Sequence, residues 1–208
     1  MADLTFYTNP QSRGRIAHWM MEEIGEPYET VWLDYGPAMK SAEYLAVNPM
    51  GKVPALRHGE VVVTESAAIC AYLADHFPDQ ELLPPAGDVR RAAYFRWMFF
   101  VAGPLEMALT AKSLDWQVPH GKSSMVGFGS YYDALQVLET ALIGGSFVCG
   151  AQFTAADVVL GSAIAWGMLF GTIEKRSVFE AYVQRCMQRP AFQRAAQINE
   201  AFLQRGPQ

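Results

Sequence analysis

An α/β first half followed by an all-helical second half is the organisation that the 208 residues predict. Three observations carry it. Up to Pro78, short β-rich runs alternate with short amphipathic ones. The stretch "PDQELLPPAGD" then breaks the periodicity with Pro78, Pro84, Pro85 and Gly87. Beyond it, each periodic stretch repeats at helical spacing with no competing strand signal.

The opening "DLTFYT" alternates and is rich in β-formers, which predicts a strand. In "SRGRIAHWMMEEIG", Ile16, Trp19, Met20 and Ile24 share one helical face, and Gly25 supplies a left-handed cap at the end. "PYETVWLDY" predicts a second strand and "MKSAEYLAVN" a short helix. Two short strands in "VPALRHGEVVVTE" are joined by a tight turn at His58 and Gly59. "SAAICAYLADHF" then closes this half as a helix with Ser66 as its N-cap. The order β-α-β-α-β-β-α is that of a thioredoxin-like domain, a parallel crossover followed by an antiparallel hairpin. Residues 1–78 are assigned to this domain, 79–88 to the linker and 89–208 to an all-α domain.

In the second half, helices are predicted over 89–114, 129–142, 154–171, 177–190 and 191–205. "AADVVLGSAIAWGMLF" is apolar nearly all round, as a helix at the centre of a bundle should be, and too short to span a bilayer. In "FTAADVVLG", Thr154 as N-cap and Asp157 three residues later form a capping box, an aspartate variant of the usual glutamate or glutamine. This pair is read as structural.

With 51% hydrophobic and 18% charged residues the composition is that of a soluble globular protein. The net charge of -5 and the scattered Lys and Arg argue against a nucleic-acid partner, which needs a basic face. "MADLTFYTNP" has neither the basic nor the apolar part of an export signal, so a cytoplasmic location with no membrane anchor is expected. Cys70, Cys149 and Cys186 lie far apart and make no CxxC. His18, His58, His76 and His120 show no ligand spacing, so neither a disulfide framework nor a metal site is expected.

The chemistry concentrates in "NPMGKVPALRHGEVVVTESAAI". A proline in a strand pattern has lost a ladder donor, so Pro54 belongs at an edge, a bulge or a cis bond. A cis Val53–Pro54 bond would turn the Val53 backbone outward, where an extended peptide can pair with it as an added strand. Ser66 and the first free N–H groups of the following helix can take a carboxylate, and Glu65 beside them an ammonium. An amino-acid zwitterion would fit there. The alternative is that Glu65 and Ser66 only cap and charge the helix.

"NPMGKVPAL" followed by "ESAAICAYL", with "FTAADVVLG" further on, closely resembles the cytosolic glutathione S-transferases, and the similarity covers essentially the whole chain. The resemblance implies a thioredoxin-like domain, a helical domain, a homodimer, and glutathione as co-substrate bound across the first domain without a metal. Position by position, it makes Val53, next to cis Pro54, the residue whose backbone pairs with the cysteinyl of glutathione. Glu65 and Ser66 would hold the γ-glutamyl end, and Lys52 and Lys40 the glycyl carboxylate, where two cations suit an anionic tail.

The family activates the thiol with a tyrosine, serine or cysteine near the end of the first strand. Here the turn "TNPQSRGR" has no cysteine, and Tyr7 sits two residues too early relative to "RGR" and is read as strand packing. Ser12 precedes Arg15 and Ile16 by the spacing found in serine-type classes, and the chain resembles a bacterial member of serine-type or atypical class. A free thiol is only a few per cent ionised at neutral pH, and a donor aimed at the sulfur, helped by the helix dipole, favours the thiolate. The Ser12 hydroxyl, the Arg13 N–H and guanidinium, the Gln11 amide and the Asn9 amide all lie in this turn.

A hydrophobic electrophile should meet the thiolate between the domains, against Trp97, Phe99, Phe100, Met107, Trp116 and Trp166, although such residues are also ordinary core or dimer contacts. Three functions remain open. The first is thiol transfer to an electrophilic carbon, the second a glutathione-dependent disulfide or peroxide reductase, and the third a non-catalytic binding or assembly module.

Overall fold

In a computed structural model that describes residues 3–205, the chain divides into two compact units, Met1–Glu81 with Gln188–Gln208, and Leu82–Met187. The first unit contains the strands β1 (Leu4–Thr8), β2 (Tyr28–Trp32), β3 (Ala55–His58) and β4 (Val61–Thr64), in the sheet order β2-β1-β3-β4. β1 and β2 run parallel, with Phe6 opposite Thr30, while β3 is antiparallel to both β1 and β4. A parallel pair needs a crossover, and α1 (Gly14–Ile24) provides it. Along β1 the alternation is realised: Leu4, Phe6 and Thr8 are buried on one side and Thr5 and Tyr7 half-buried on the other. This is the thioredoxin-like arrangement that the element order predicts. His58 pairs with Val61, so the hairpin turn falls on Gly59 and Glu60, one residue later than expected.

Two layers flank the sheet. α1 and α3 (Ser66–His76) pack together, with Ile16, Met20 and Ile24 of α1 and Ile69, Cys70 and Leu73 of α3 buried; the absence of water pushes the Cys70 thiol pKa up. A second cluster joins Met39, Tyr44 and Val47, from the region of α2 (Ala42–Val47), to Ala55, Tyr7, Leu33 and Val53. Tyr7 therefore packs, as expected, 5.7 Å from the Tyr44 ring.

One apolar face was expected on α1, yet Ala17, His18 and Met21 are buried too. The cause is α9 (Pro190–Gln204), which lies along the other side of α1. Phe192 packs edge-on to Trp19 at 5.1 Å, Phe202 stacks on Trp32 at 4.2 Å, and Arg189 forks onto both oxygens of Glu23 at 2.7 Å. The assignment of 89–208 to one helical domain therefore differs from the observed units at its C-terminal end. The rings and arginines of α9 match the rings and carboxylates of α1 and β2.

A buried relay fastens this layer. Asn199 Nδ2 donates to His18 Nδ1 at 3.0 Å, His18 Nε2 lies 2.9 Å from the Tyr28 hydroxyl, and that hydroxyl donates to Glu22 at 2.6 Å. Burial lowers the His18 pKa, more than the Asn199 bond and the Glu22 charge raise it. A base with a depressed folded pKa contributes stability that is full above its unfolded pKa, about 6.5, and is lost as pH falls through the folded value. The urea midpoint is therefore expected to drop as pH falls below about 6.5, and to drop less in His18→Gln. Equal slopes for the two proteins would contradict the assignment.

The second unit holds α4 (Arg91–Phe100), α5 (Glu106–Ser113), α6 (Tyr131–Leu142), α7 (Ala155–Leu169) and α8 (Ser177–Met187). The single helix expected over 89–114 is interrupted by a π turn at Val101–Leu105. Pro104 lacks an N–H and its ring cannot fit beside an α-helical carbonyl. α7 is buried nearly all round, as its composition requires, and opens with the Thr154–Asp157 capping box. Among the described residues no helix is long and apolar enough to cross a membrane, and no three His, Cys, Asp or Glu side chains gather as metal ligands.

Candidate active site

The chain reverses between β1 and α1 through residues 9–13, and every carbonyl of that turn accepts a hydrogen bond. Asn9 O accepts from the Ser12 N–H at 3.1 Å and the Ser12 hydroxyl at 2.7 Å, and Pro10 O from Arg15 Nε. Gln11 O accepts from the Tyr35 hydroxyl at 3.3 Å, Ser12 O from the Arg15 N–H at 3.2 Å, and Arg13 O from the Ile16 N–H at 3.0 Å. The Asn9 side chain is occupied at both ends, donating to Leu33 O at 2.8 Å and accepting from the Gln11 N–H at 2.8 Å. Ser12 Oγ also accepts from the Gly14 N–H at 2.9 Å, and Ser12 is only 7% exposed.

Ser12 and Asn9, expected as donors to a thiol, are thus committed to the turn itself. Both are short polar side chains in a tight turn, where bonding to the local backbone competes with any outward partner. Arg13, at the N-cap of α1, is exposed. The residue that sequence reasoning missed is Gly14. A Cβ there would come 2.0 Å from Thr8 Oγ1 and 2.9 Å from Ser12 Oγ, so only glycine allows the turn to close on β1. Its signal was the glycine set between two arginines at a helix start.

The loop before β3 is held from beneath. Lys52 O accepts from the Tyr44 hydroxyl at 2.6 Å and from Asn48 Nδ2 at 2.7 Å, and burial pushes the Tyr44 pKa up to about 12, so this donor keeps its proton. Gly51 has φ 58°, and a Cβ on it would meet Met39 O at 2.4 Å. Lys40 Nζ donates to Met50 O at 2.8 Å, which brings Lys40 to the loop that carries Lys52; both lysines are exposed. Val53 is half-buried against the Tyr44 cluster, and the Val53–Pro54 peptide bond is cis.

At the start of α3, Glu65 has φ 69° and ψ 124°, outside every region favourable to a residue with a Cβ. Ser66, expected as the N-cap, is the first helical residue instead; Glu65 takes the cap position and makes no side-chain cap bond. The Ser66 hydroxyl has turned to the Arg13 carbonyl, 3.4 Å away, and so joins α3 to the turn. Of the expected apolar wall, Trp97 is buried in the second unit under Arg96, whereas Phe99 is 73% exposed.

A sequence model described as glutathione S-transferase, N-terminal domain, matches residues 13–76. Glutathione S-transferase A of Pleuronectes platessa is 31% identical over 160 residues, which cover 73% of this chain and 71% of that protein. Glutathione S-transferase GstA of Escherichia coli O157:H7 is 29% identical over 199 residues, covering 92% and 96%. Among solved structures, a glutathione transferase from Methylococcus capsulatus strain Bath is similar with a TM-score of 0.79 and 27% identity over 95% of this chain and 99% of that one. A sphingomonad glutathione S-transferase complexed with glutathione has a TM-score of 0.77 and 25% identity, covering 94% and 98%.

Proposed function

Because the chain belongs to the glutathione S-transferase family, we propose that it binds glutathione along residues 9–13, 52–54 and 65–66 and activates its thiol for attack on a hydrophobic electrophile. In this reading Val53 pairs with the cysteinyl backbone beside Pro54, and Glu65 and Ser66 hold the γ-glutamyl ammonium and carboxylate. Lys52 and Lys40 face the glycyl carboxylate. The thiolate sits at the start of α1, where Arg13 and the helix N-terminus favour the charged sulfur, while Ser12 and Asn9 shape the turn without touching it. The sulfur loses its proton to solvent and forms a bond to the electrophilic carbon, from which the leaving group departs with the bonding pair. A cytoplasmic homodimer is the form in which we place this activity; exposed Val61 and Val62 on β4 are candidates for the covered surface.

The observation that supports the reading best is the backbone of Glu65. A strained non-glycine residue persists where function needs its position, at a cost of about 1–3 kcal/mol. Glu65→Gly is therefore expected to raise Tm while weakening glutathione binding about tenfold or more. Glu65→Gln, which keeps the strain and loses the charge, should weaken binding with Tm unchanged. A fall in Tm for Glu65→Gly would count against this account.

The function itself is tested by calorimetric titration of the protein with glutathione, followed through the ultraviolet absorbance of the thiolate. Binding with a depressed thiol pKa and turnover of an aryl halide is the expected result. Turnover confined to small disulfides or peroxides would favour the reductase, and no binding at millimolar glutathione would leave only the assembly module.

A further inference from the structure

The Arg15 side chain joins the thiol turn to the last helix. Its Nε donates to the Pro10 carbonyl at the crown of the turn, and its Nη2 donates to Glu200 Oε1 at 2.6 Å. A guanidinium holds two acceptors in a fixed planar fork, so the place of one acceptor fixes the approach to the other. Glu200 sits on a rail anchored independently of it. Asn199 binds His18, Phe202 stacks on Trp32, Arg194 Nε donates to Glu22 at 2.8 Å and Arg189 forks onto Glu23.

We infer that Arg15 and Glu200 are positioning residues for the thiol, through which α9 sets the orientation of the turn at residues 10–13. The inference rests on the proposed function. The Pro10 carbonyl belongs to the same peptide as the Gln11 N–H, and the Ser12 carbonyl, held by the Arg15 N–H, to the same peptide as the Arg13 N–H. A trans peptide presents its N–H opposite its C=O. Arg15 thus holds the turn at two carbonyls, Pro10 O by its side chain and Ser12 O by its backbone; the N–H of the first peptide is tied down in turn by Asn9 Oδ1 at 2.8 Å, and that of the second is the N–H of Arg13. As a contribution to stability the ion pair is minor, because its side chains are 29% and 54% exposed. What it supplies is direction, and a donor group misplaced by a fraction of an ångström loses much of its effect on a charged sulfur.

The test compares Glu200→Ala, Glu200→Gln and Arg15→Lys with the unmodified protein, by the pH profile of kcat with an aryl halide and by thiolate absorbance of the glutathione complex. Glu200→Ala should move the thiol pKa up by about half a unit and lower kcat about threefold below that pKa, with KM for glutathione and Tm nearly unchanged. Glu200→Gln, whose amide oxygen still accepts from Nη2, should restore most of the loss. Arg15→Lys, a point charge that cannot fork, should behave like Glu200→Ala even if the alanine variant proves unstable. A thiol pKa identical in all four proteins, or a loss in Glu200→Ala that follows Tm alone, would overturn the positioning role. Failure of the unmodified protein to bind glutathione would instead overturn the proposed function.

Discussion

Arg13→Ala is expected to raise the pKa of bound glutathione's thiol by about one unit and to lower kcat about tenfold below that pKa, while Ser12→Ala leaves the pKa in place and lowers Tm. The contrast follows from where the protons point. The Ser12 hydroxyl donates to Asn9 O at 2.7 Å while accepting from the Gly14 N–H at 2.9 Å, so its proton is directed into the turn. Removing it leaves the Gly14 N–H without this acceptor in a buried place, a loss of about 1–2 kcal/mol and hence about 5 °C in Tm for a chain of this length. Arg13 is exposed at the end of α1, where a positive charge adds to the helix N-terminus in favouring an anion. Each unit of thiol pKa is about 1.4 kcal/mol of preference for the thiolate, within reach of one charge-assisted contact. Thiolate absorbance against pH for both variants, with thermal unfolding beside it, decides the matter. A raised pKa in Ser12→Ala with unchanged Tm would return the role to the serine.

Why the serine reads as a donor in the sequence, while its hydroxyl is bonded within the turn in the structure, is a matter of range. Position twelve can be read from "QSRGRI" as the start of a helix, and both a cap and a catalytic hydroxyl occur there. Which way the hydroxyl turns depends on Asn9 O and the Gly14 N–H, whose places are fixed only when Gly14 closes against Thr8. The sheet was legible because alternation and turn residues are local, and α7 because an all-apolar run with a capping box leaves one choice. Glu65 was legible as a charge but not as a strained backbone, since nothing in "TESAA" demands a positive φ. The allegiance of α9 was hidden for a similar reason. Its periodicity announces a helix, yet its partners, among them Trp32, Glu22 and Glu23, lie more than a hundred and fifty residues away in sequence.

Asp157→Ala is expected to be strongly destabilising. The carboxylate is fully buried, and four donors converge on it: the Val148 N–H at 2.8 Å, the Thr154 N–H at 2.9 Å, the Thr154 hydroxyl at 3.0 Å and the Tyr182 hydroxyl at 2.8 Å. Burial raises its pKa in spite of all four. Alanine would leave buried donors without an acceptor, at about 1–3 kcal/mol each and less than additively, so a total of about 3–5 kcal/mol is expected. That corresponds to a fall in Tm of about 10 °C or more. Asparagine rescues only in part, because whichever carboxylate oxygen becomes an NH2 group meets a donor, the Val148 or the Thr154 N–H. The segments proposed to bind glutathione belong to the other compact unit, so the folded fraction of Asp157→Ala is expected to bind glutathione with unaltered affinity at low temperature. A Tm within about 3 °C of the unmodified protein, or a lost affinity with Tm intact, would show that the residue serves the site and not the fold.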